Sequence, residues 1–316
     1  MSRELLRATD LVVRFPAGGL SRWIVPVDRV SLTVDEGEAV AIVGESGSGK
    51  TTLGRALVRT LRLSQGQILL KNKDVSRLQG RALKQYRAAV QMVFQDPFAS
   101  LNPSRTVSQQ IGVPIRFHRR LTGREAHAEI NQLLEQVGLT PAEDMREKYP
   151  HQLSGGQRQR VAIARALAAN PQMIVADEPV SMLDVSIRAG ILQLLSQLKQ
   201  DLGISFVFIT HDLASARYFS GRIGVMYAGQ LVELGPAAQV VAEPLHPYTR
   251  LLLAASPGSG IKTALPETSQ RAPDLSIGRV GCPFAPRCPL VEAKCTASAI
   301  PIQWIADRAV ACVQVR

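Results

Sequence analysis

The sequence predicts an α/β fold around a mostly parallel sheet, and three observations carry that expectation. Up to about residue 250, short apolar runs alternate with helical periods, the order that lays parallel strands side by side. The runs Ala39–Val43, Val90–Phe94, Met173–Ala176 and Ser205–Ile209 are continuously apolar, as strands buried on both faces are. The first of them leads through a glycine-rich turn into a helix. At the N-terminus, Asp10–Phe15 and Val27–Val34 read as an antiparallel flap, and a helix is expected over Thr51–Leu61. Residues 125–137 set Ala126, Ile130, Leu133, Leu134 and Val137 on one helical stripe. A further helix runs to Ala169 and stops at Asn170-Pro171; another spans 185–202 and ends at Gly203, a natural C-terminal cap. Val225–Tyr227 and Gln230–Leu234, joined at Ala228-Gly229, form a hairpin. From Ser256 to Pro273 the chain turns rich in Pro, Gly, Ser and Thr, the composition of a linker. The expected division is therefore a body over 1–250, with a helical part at about 96–165, and a small extension over 251–316.

Composition excludes other classes. With 316 residues, 46% hydrophobic and 20% charged, the chain is a normal globular protein of about two domains. No apolar stretch approaches the ~20 residues of a membrane span. Met1–Arg7 lacks an apolar core and a small-residue cleavage site, so the expectation is a chain that stays in the cytoplasm. Lys and Arg outnumber Asp and Glu by 37 to 26, which suits an anionic partner of several kinds. Aromatic residues make up only 5%, too few for a base-stacking platform, so nucleic acid is not the expected partner.

The chemistry concentrates in four segments. Gly44-Glu45-Ser46-Gly47-Ser48-Gly49-Lys50-Thr51 follows a strand and opens a helix, as a phosphate-binding P-loop must. Its glycines let consecutive backbone N–H groups wrap an anion at the helix N-terminus. Lys50 then reaches the β- and γ-phosphates, and the hydroxyl of Thr51, beside Thr52, ligates magnesium. A glycine-rich turn with a chance Lys-Thr is the alternative, and the flanking strand and helix argue against it. The strand Met173–Ala176 ends in Asp177-Glu178, where Asp177 suits a magnesium carboxylate and Glu178 suits the base that orients an attacking water. Ser205–Thr210 ends in His211, a third strand end facing the crevice. Leu153-Ser154-Gly155-Gly156-Gln157 has capping-box spacing, and two exposed glycines before a helix look like a second phosphate-gripping surface.

On these residues the chain resembles the ATP-binding subunits of ABC transporters over essentially its whole length. The resemblance implies an ABC ATPase P-loop fold with a mostly parallel core sheet, an antiparallel β flap, a helical signature subdomain and a small C-terminal extension. It also implies that Gly44–Thr51 is Walker A, Met173–Asp177 Walker B, Glu178 the catalytic glutamate and Leu153–Gln157 the signature. Gln95 is then the Q-loop glutamine, which also helps hold magnesium; Ser181–Asp184 is the D-loop, with Asp184 at its end, and His211 the switch histidine. Such subunits act in pairs, the signature of one closing on ATP held by the other. Phe15 fits the adenine-stacking aromatic by position, and Trp23 is the alternative. Val180 and Met182 depart from the family's usual Thr or Ser and Ala; neither does the expected chemistry.

Phe94–Pro103, Tyr149–Gln152 and His246-Pro-Tyr-Thr249 resemble the oligopeptide, dipeptide and nickel importers within that family. The expectation is an ATPase on the cytoplasmic face of the bacterial inner membrane, bound peripherally to two permease subunits. A second ATPase, more often a homologue than a copy, completes the pair, and a solute-binding protein acts indirectly. Nickel or small oligosaccharides are alternative cargoes, and an ABC-type ATPase acting on nucleic acid or ribosomes is the alternative of another class. His246 reads as structural. Cys282, Cys288, Cys295 and Cys312 follow C-x5-C-x6-C-x16-C, without the paired C-x2-C of zinc ribbons. Some peptide importers carry a [4Fe-4S] cluster in this region, so a cluster, zinc or four free thiols are the readings left open.

Overall fold

Alternating burial builds the first sheet. The computed structural model describes residues 3–17, 23–255, 275–276 and 280–315, so the predicted linker over 256–273 lies outside the described residues. The chain divides into two units, Met1–Ser76 with Phe208–Arg316, and Arg77–Val207. In the first unit, strands Glu4–Pro16 and Trp23–Asp35 pair antiparallel, both longer than their apolar runs. Gln65–Leu70 and Lys73–Asp74 extend that sheet on the other side of Glu4–Pro16. Leu6 and Ala8 face inward while Arg7 and Thr9 face out. Asp10 takes a positive φ of 48°, and the register slips between Ala8 and Leu11, so Leu11 and Val13 return to the core.

The parallel strands of this unit begin with Ala39–Val43, buried at every residue and paired parallel with Arg222–Tyr227. Arg222–Tyr227 turns back through Ala228 (φ 45°) and Gly229 (φ 86°) into Gln230–Pro236, as predicted. Two positive φ values are what a two-residue hairpin loop of the right twist requires. Gln230–Pro236 then carries a second hairpin that the sequence did not announce, Gln303–Ile305 with Arg308–Val310.

The predicted helix after the glycine-rich loop is shorter than expected, Lys50–Leu57. Arg59 adopts φ 59°, Thr60 N–H donates to the Arg55 carbonyl at 2.9 Å, and Arg59 N–H donates to Ala56 at 3.0 Å. Those two bonds close a Schellman cap with arginine where glycine is usual.

The second unit joins a parallel strand pair to helices. Val90–Val93 pairs parallel with Met173–Asp177, and Ser205–Thr210, buried throughout, spans the boundary between the units. Helices Val107–Pro114, Gly123–Gln136 and Gly155–Leu167 pack on one another. The predicted stripe holds, with Ala126, Ile130, Leu133, Leu134 and Val137 all buried. Val185–Leu202 ends at Gly203 with φ 64°, also as predicted. Among the described residues, no helix is long and apolar enough to cross a membrane.

Candidate active site

The glycine-rich loop is shaped by contacts that exclude side chains. A Cβ on Gly44 would stand 2.2 Å from the Met226 carbonyl oxygen, and one on Gly49 (φ 104°) would stand 1.8 Å from that of Pro26. Glycine at both positions lets the backbone fold into a cradle of N–H groups. Lys50, 5% exposed, donates from Nζ to the carbonyls of Gly44 and Glu45, each at 2.8 Å. Its ammonium therefore lies across the mouth of the loop, where an anion's charge would be met. Ser48 is fully buried, and its hydroxyl makes no hydrogen bond. Ser46 and Gly47 are exposed at the tip, and Thr51 and Thr52 are half-buried in the first helical turn. The loop thus fits a polyphosphate: a glycine cradle, a buried cation and unspent hydroxyl capacity.

His211 belongs to the same unit, exposed just after strand Ser205–Thr210. Its neighbour Asp212 caps helix Leu213–Phe219, accepting from Ala214 N–H at 3.0 Å and Ser215 N–H at 3.2 Å. Phe15 is half-buried and lies opposite Ile24 in the antiparallel ladder; Trp23, 36% exposed, lies one position on. The Arg14 guanidinium covers the Trp23 ring at 5.2 Å.

The acids lie on the second unit. Asp177 is 2% exposed at the end of its strand, and Glu178 follows half-buried. Gln95, distant in sequence, donates from Nε2 to Glu178 Oε2 at 3.2 Å. Glu178 holds φ 45°, a strained value for a residue with a side chain, and Ser181 Oγ donates to its carbonyl at 3.0 Å. Val180 is buried, whereas Met182 is 60% exposed and Val185 80% exposed beside the exposed Asp184. Apolar side chains are therefore turned outward where the sequence places the D-loop.

The signature segment forms as its spacing predicts. Ser154 Oγ accepts from Gln157 N–H at 3.2 Å, and Gln157 Oε1 accepts from Ser154 N–H at 3.0 Å. One expectation is corrected: the glycines do not precede the helix but form its first turn, and Gly156 is buried. A Cβ there would stand 2.6 Å from Ile187 Cγ2. Close packing against helix Val185–Leu202 accounts for Gly156, while Gly155 meets nothing nearer than Leu183 at 3.5 Å.

The four cysteines line one small pocket together with His246. Cys295 and Cys312 are buried, Cys282 and Cys288 half-buried, and all four are free thiols. Burial and the neighbouring sulfurs push Cys282 up to about 11 and raise Cys288 and Cys312, so these thiols hold their protons. Cys295 Sγ accepts from Glu292 N–H at 3.4 Å, and Cys282 Sγ lies 3.9 Å from His246 Nε2. Among the described residues, no group of three or more His, Cys, Asp or Glu is arranged to hold a metal ion. His246 is structural, as its sequence context predicts: it is 1% exposed, and Nδ1 accepts from Tyr248 N–H at 3.0 Å to cap helix Pro247–Ala254. Burial lowers it to about 3, so it stays neutral.

Two residues at the loop escaped the sequence reading. Tyr248 Oη accepts from the Glu45 N–H at 2.9 Å, and Arg287 forks onto the Glu45 carboxylate at 2.9 and 3.0 Å. The His-Pro-Tyr run and the arginine between two cysteines were visible in sequence, but their link to Glu45 was not.

Two families match the chain: ABC transporter over residues 27–181, and oligopeptide/dipeptide transporter, C-terminal region, over residues 232–295. The chain is similar to the probable peptide ABC transporter ATP-binding protein y4tS of Sinorhizobium fredii, at 43% identity over 99% of this chain and 90% of that relative. It is also similar to the glutathione import ATP-binding protein GsiA of Escherichia coli K12, 48% identical over 80% of this chain but 41% of GsiA. Among solved structures, the dimeric bacterial ABC transporter cassette MJ0796 superposes with a TM-score of 0.66 and 31% identity, over 74% of this chain and 99% of that one.

Proposed function

Because the chain belongs to the ATP-binding subunits of ABC transporters, we propose that it hydrolyses ATP to drive import of di- and oligopeptides through a membrane permease. The observation that carries the catalytic reading is the Gln95–Glu178 hydrogen bond, which joins the two residues expected to sense and perform hydrolysis. The match of residues 232–295 to the oligopeptide/dipeptide C-terminal region, and the similarity to the peptide transporter subunit y4tS and the glutathione import subunit GsiA, support the peptide cargo.

In this reading the P-loop residues Gly44–Thr51, with Thr52, bind the phosphates, and Lys50 draws charge from the β- and γ-phosphates. Thr51, Gln95 and Asp177 would hold magnesium, which when bound neutralises phosphate charge. Glu178 orients the attacking water and takes its proton, and His211 holds the γ-phosphate end. Phe15 stacks on adenine. Ser154, Gly155, Gly156, Gln157 and Asp184 face the ATP of a second ATPase subunit, and the outward Met182 and Val185 support such a partner. A homologous rather than identical partner, two permease subunits, a solute-binding protein acting indirectly, and a peripheral seat on the cytoplasmic face of the inner membrane complete the proposal. The [4Fe-4S] reading of Cys282, Cys288, Cys295 and Cys312 rests on their lining one pocket; purified protein without iron or zinc would end it.

The test is Glu178→Gln. It should bind ATP and lose about 100-fold or more of its hydrolysis rate, the usual weight of a general base. Cells carrying it should stop taking up labelled di- and oligopeptides. Wild-type turnover in the variant would remove Glu178 from the mechanism, and unchanged peptide uptake with hydrolysis abolished would remove the cargo.

A further inference from the structure

We propose that Arg287 and Tyr248 are positioning residues of the ATP site: they fix and neutralise Glu45, the second residue of the P-loop. This rests on reading Gly44–Thr51 as the nucleotide loop. Both residues fall in the segment that matches the oligopeptide/dipeptide C-terminal region, and both lie in the same unit as the loop.

The contact is built rather than incidental. Arg287 Nη1 and Nη2 each donate to a different oxygen of Glu45, at 2.9 and 3.0 Å, the bidentate fork that fixes both distance and plane. The arginine side chain is 14% exposed and the glutamate 34%. Nη1 also donates to Tyr227 Oη at 3.4 Å, and the guanidinium stands 5.7 Å from the Tyr227 ring and 5.8 Å from the Phe284 ring. Tyr248 and Phe284 are fully buried, with ring centroids 5.4 Å apart, and Tyr227 closes on Tyr248 at 4.5 Å. Arg287 itself sits in the single turn Ala285–Arg287, pinned by its N–H to the Phe284 carbonyl at 2.9 Å. The Tyr227 and Phe284 rings thus hold both the arginine and the Tyr248 phenol in place.

Two consequences follow for the loop. The Glu45 N–H is spent on Tyr248, so the Gly44–Glu45 peptide cannot swing, and the Gly44 carbonyl that receives Lys50 is fixed with it. The Glu45 carboxylate would repel a polyanion bound in its own loop, and Arg287 cancels that charge. Removing the arginine should therefore weaken nucleotide binding chiefly by baring the glutamate. Removing both charges should restore it.

The experiment is calorimetric titration of the full chain with ATP. Arg287→Ala should raise Kd about fivefold to tenfold, as expected for losing a charge-assisted pair beside an anion. The double variant Glu45→Gln/Arg287→Ala should return to within about twofold of the native value, and Arg287→Lys should fall between. A purely structural arginine predicts the opposite, with no rescue by Glu45→Gln; that result overturns the proposal. Lys50→Ala separates the two levels. If it abolishes binding while Arg287→Ala binds as tightly as native protein, the positioning role alone is lost. If Lys50→Ala binds normally, the P-loop reading itself fails and takes the proposal with it. Should Arg287→Ala not fold, the same rescue is read from Arg287→Gln and its double variant with Glu45→Gln.

Discussion

Gly47 and Gly49 share one loop and a positive φ, yet they face different surroundings. At Gly47 (φ 79°) nothing stands within 4 Å of an added Cβ, whereas at Gly49 the Pro26 carbonyl oxygen would be 1.8 Å away. Gly47→Ala should therefore cost only the backbone penalty of a left-handed residue, about 1–2 kcal/mol. Gly49→Ala must also displace the strand Trp23–Asp35, at about 3 kcal/mol or more. Urea unfolding of the two variants, with ATP titrations alongside, checks this: equal midpoints would show that the loop yields where the geometry says it cannot. Lys50, Glu178 and His211 stood out as candidates in the sequence because each sits at a strand end or loop where its residue type is chemically unusual, whereas Gln95 entered only through the family resemblance. The strain at Glu178 was not legible, since no residue type there announces a φ of 45°. Arg287 was hidden for a different reason. Between two cysteines it reads as one more surface charge, and only the Tyr227 and Phe284 rings beside it turn it toward Glu45.

Helix Gly155–Leu167 illustrates how an element can serve two masters. Its N-terminal capping box was legible from the Ser-x-x-Gln spacing, because that bond is local. The burial of Gly156 was not legible, because the constraint on its side comes from Ile187 on another helix. A methyl group at position 156 should push the two helices apart and destabilise the chain by about 1–3 kcal/mol, the usual cost of overpacking. Trimming the obstacle should relieve it, so Gly156→Ala with Ile187→Ala should lie closer to Ile187→Ala alone than additivity allows. A double-mutant cycle on unfolding midpoints measures the coupling; additive effects would show that the helices do not meet there. The same distinction between local and distant causes explains the rest of the fold. Buried parallel strands and the Ala228-Gly229 hairpin were readable from runs and turn residues. The early end of helix Lys50–Leu57 was not, because arginine rather than glycine occupies the left-handed cap at position 59. The short strands Gln303–Ile305 and Arg308–Val310 offered no periodicity long enough to register.

For the molecule as a whole, those two short strands matter beyond their length. Arg308–Val310 pairs with Gln230–Pro236, and Ala311 N–H donates to the Val232 carbonyl at 2.9 Å. The C-terminal segment thereby covers part of the outer edge of a strand that is otherwise paired only with Arg222–Tyr227. The junction is anchored from beneath by Glu233, 1% exposed, whose carboxylate accepts from Leu245 N–H at 3.0 Å and His246 N–H at 2.9 Å. Gly235 permits the approach, since a Cβ there would stand 2.5 Å from Arg308 Cγ. The extension is therefore part of the first unit's sheet and, through Arg287, of its loop. A chain truncated after Ala255 should lose both, and its bared strand should pair with other copies. Light scattering should show concentration-dependent association of the truncated chain at concentrations where the full chain stays monodisperse. Ala311→Pro, which removes one backbone donor and leaves the extension otherwise intact, should shift the same way to a smaller degree. A truncated chain that remains monodisperse would mean that strand Gln230–Pro236 is protected by something other than the C-terminal hairpin.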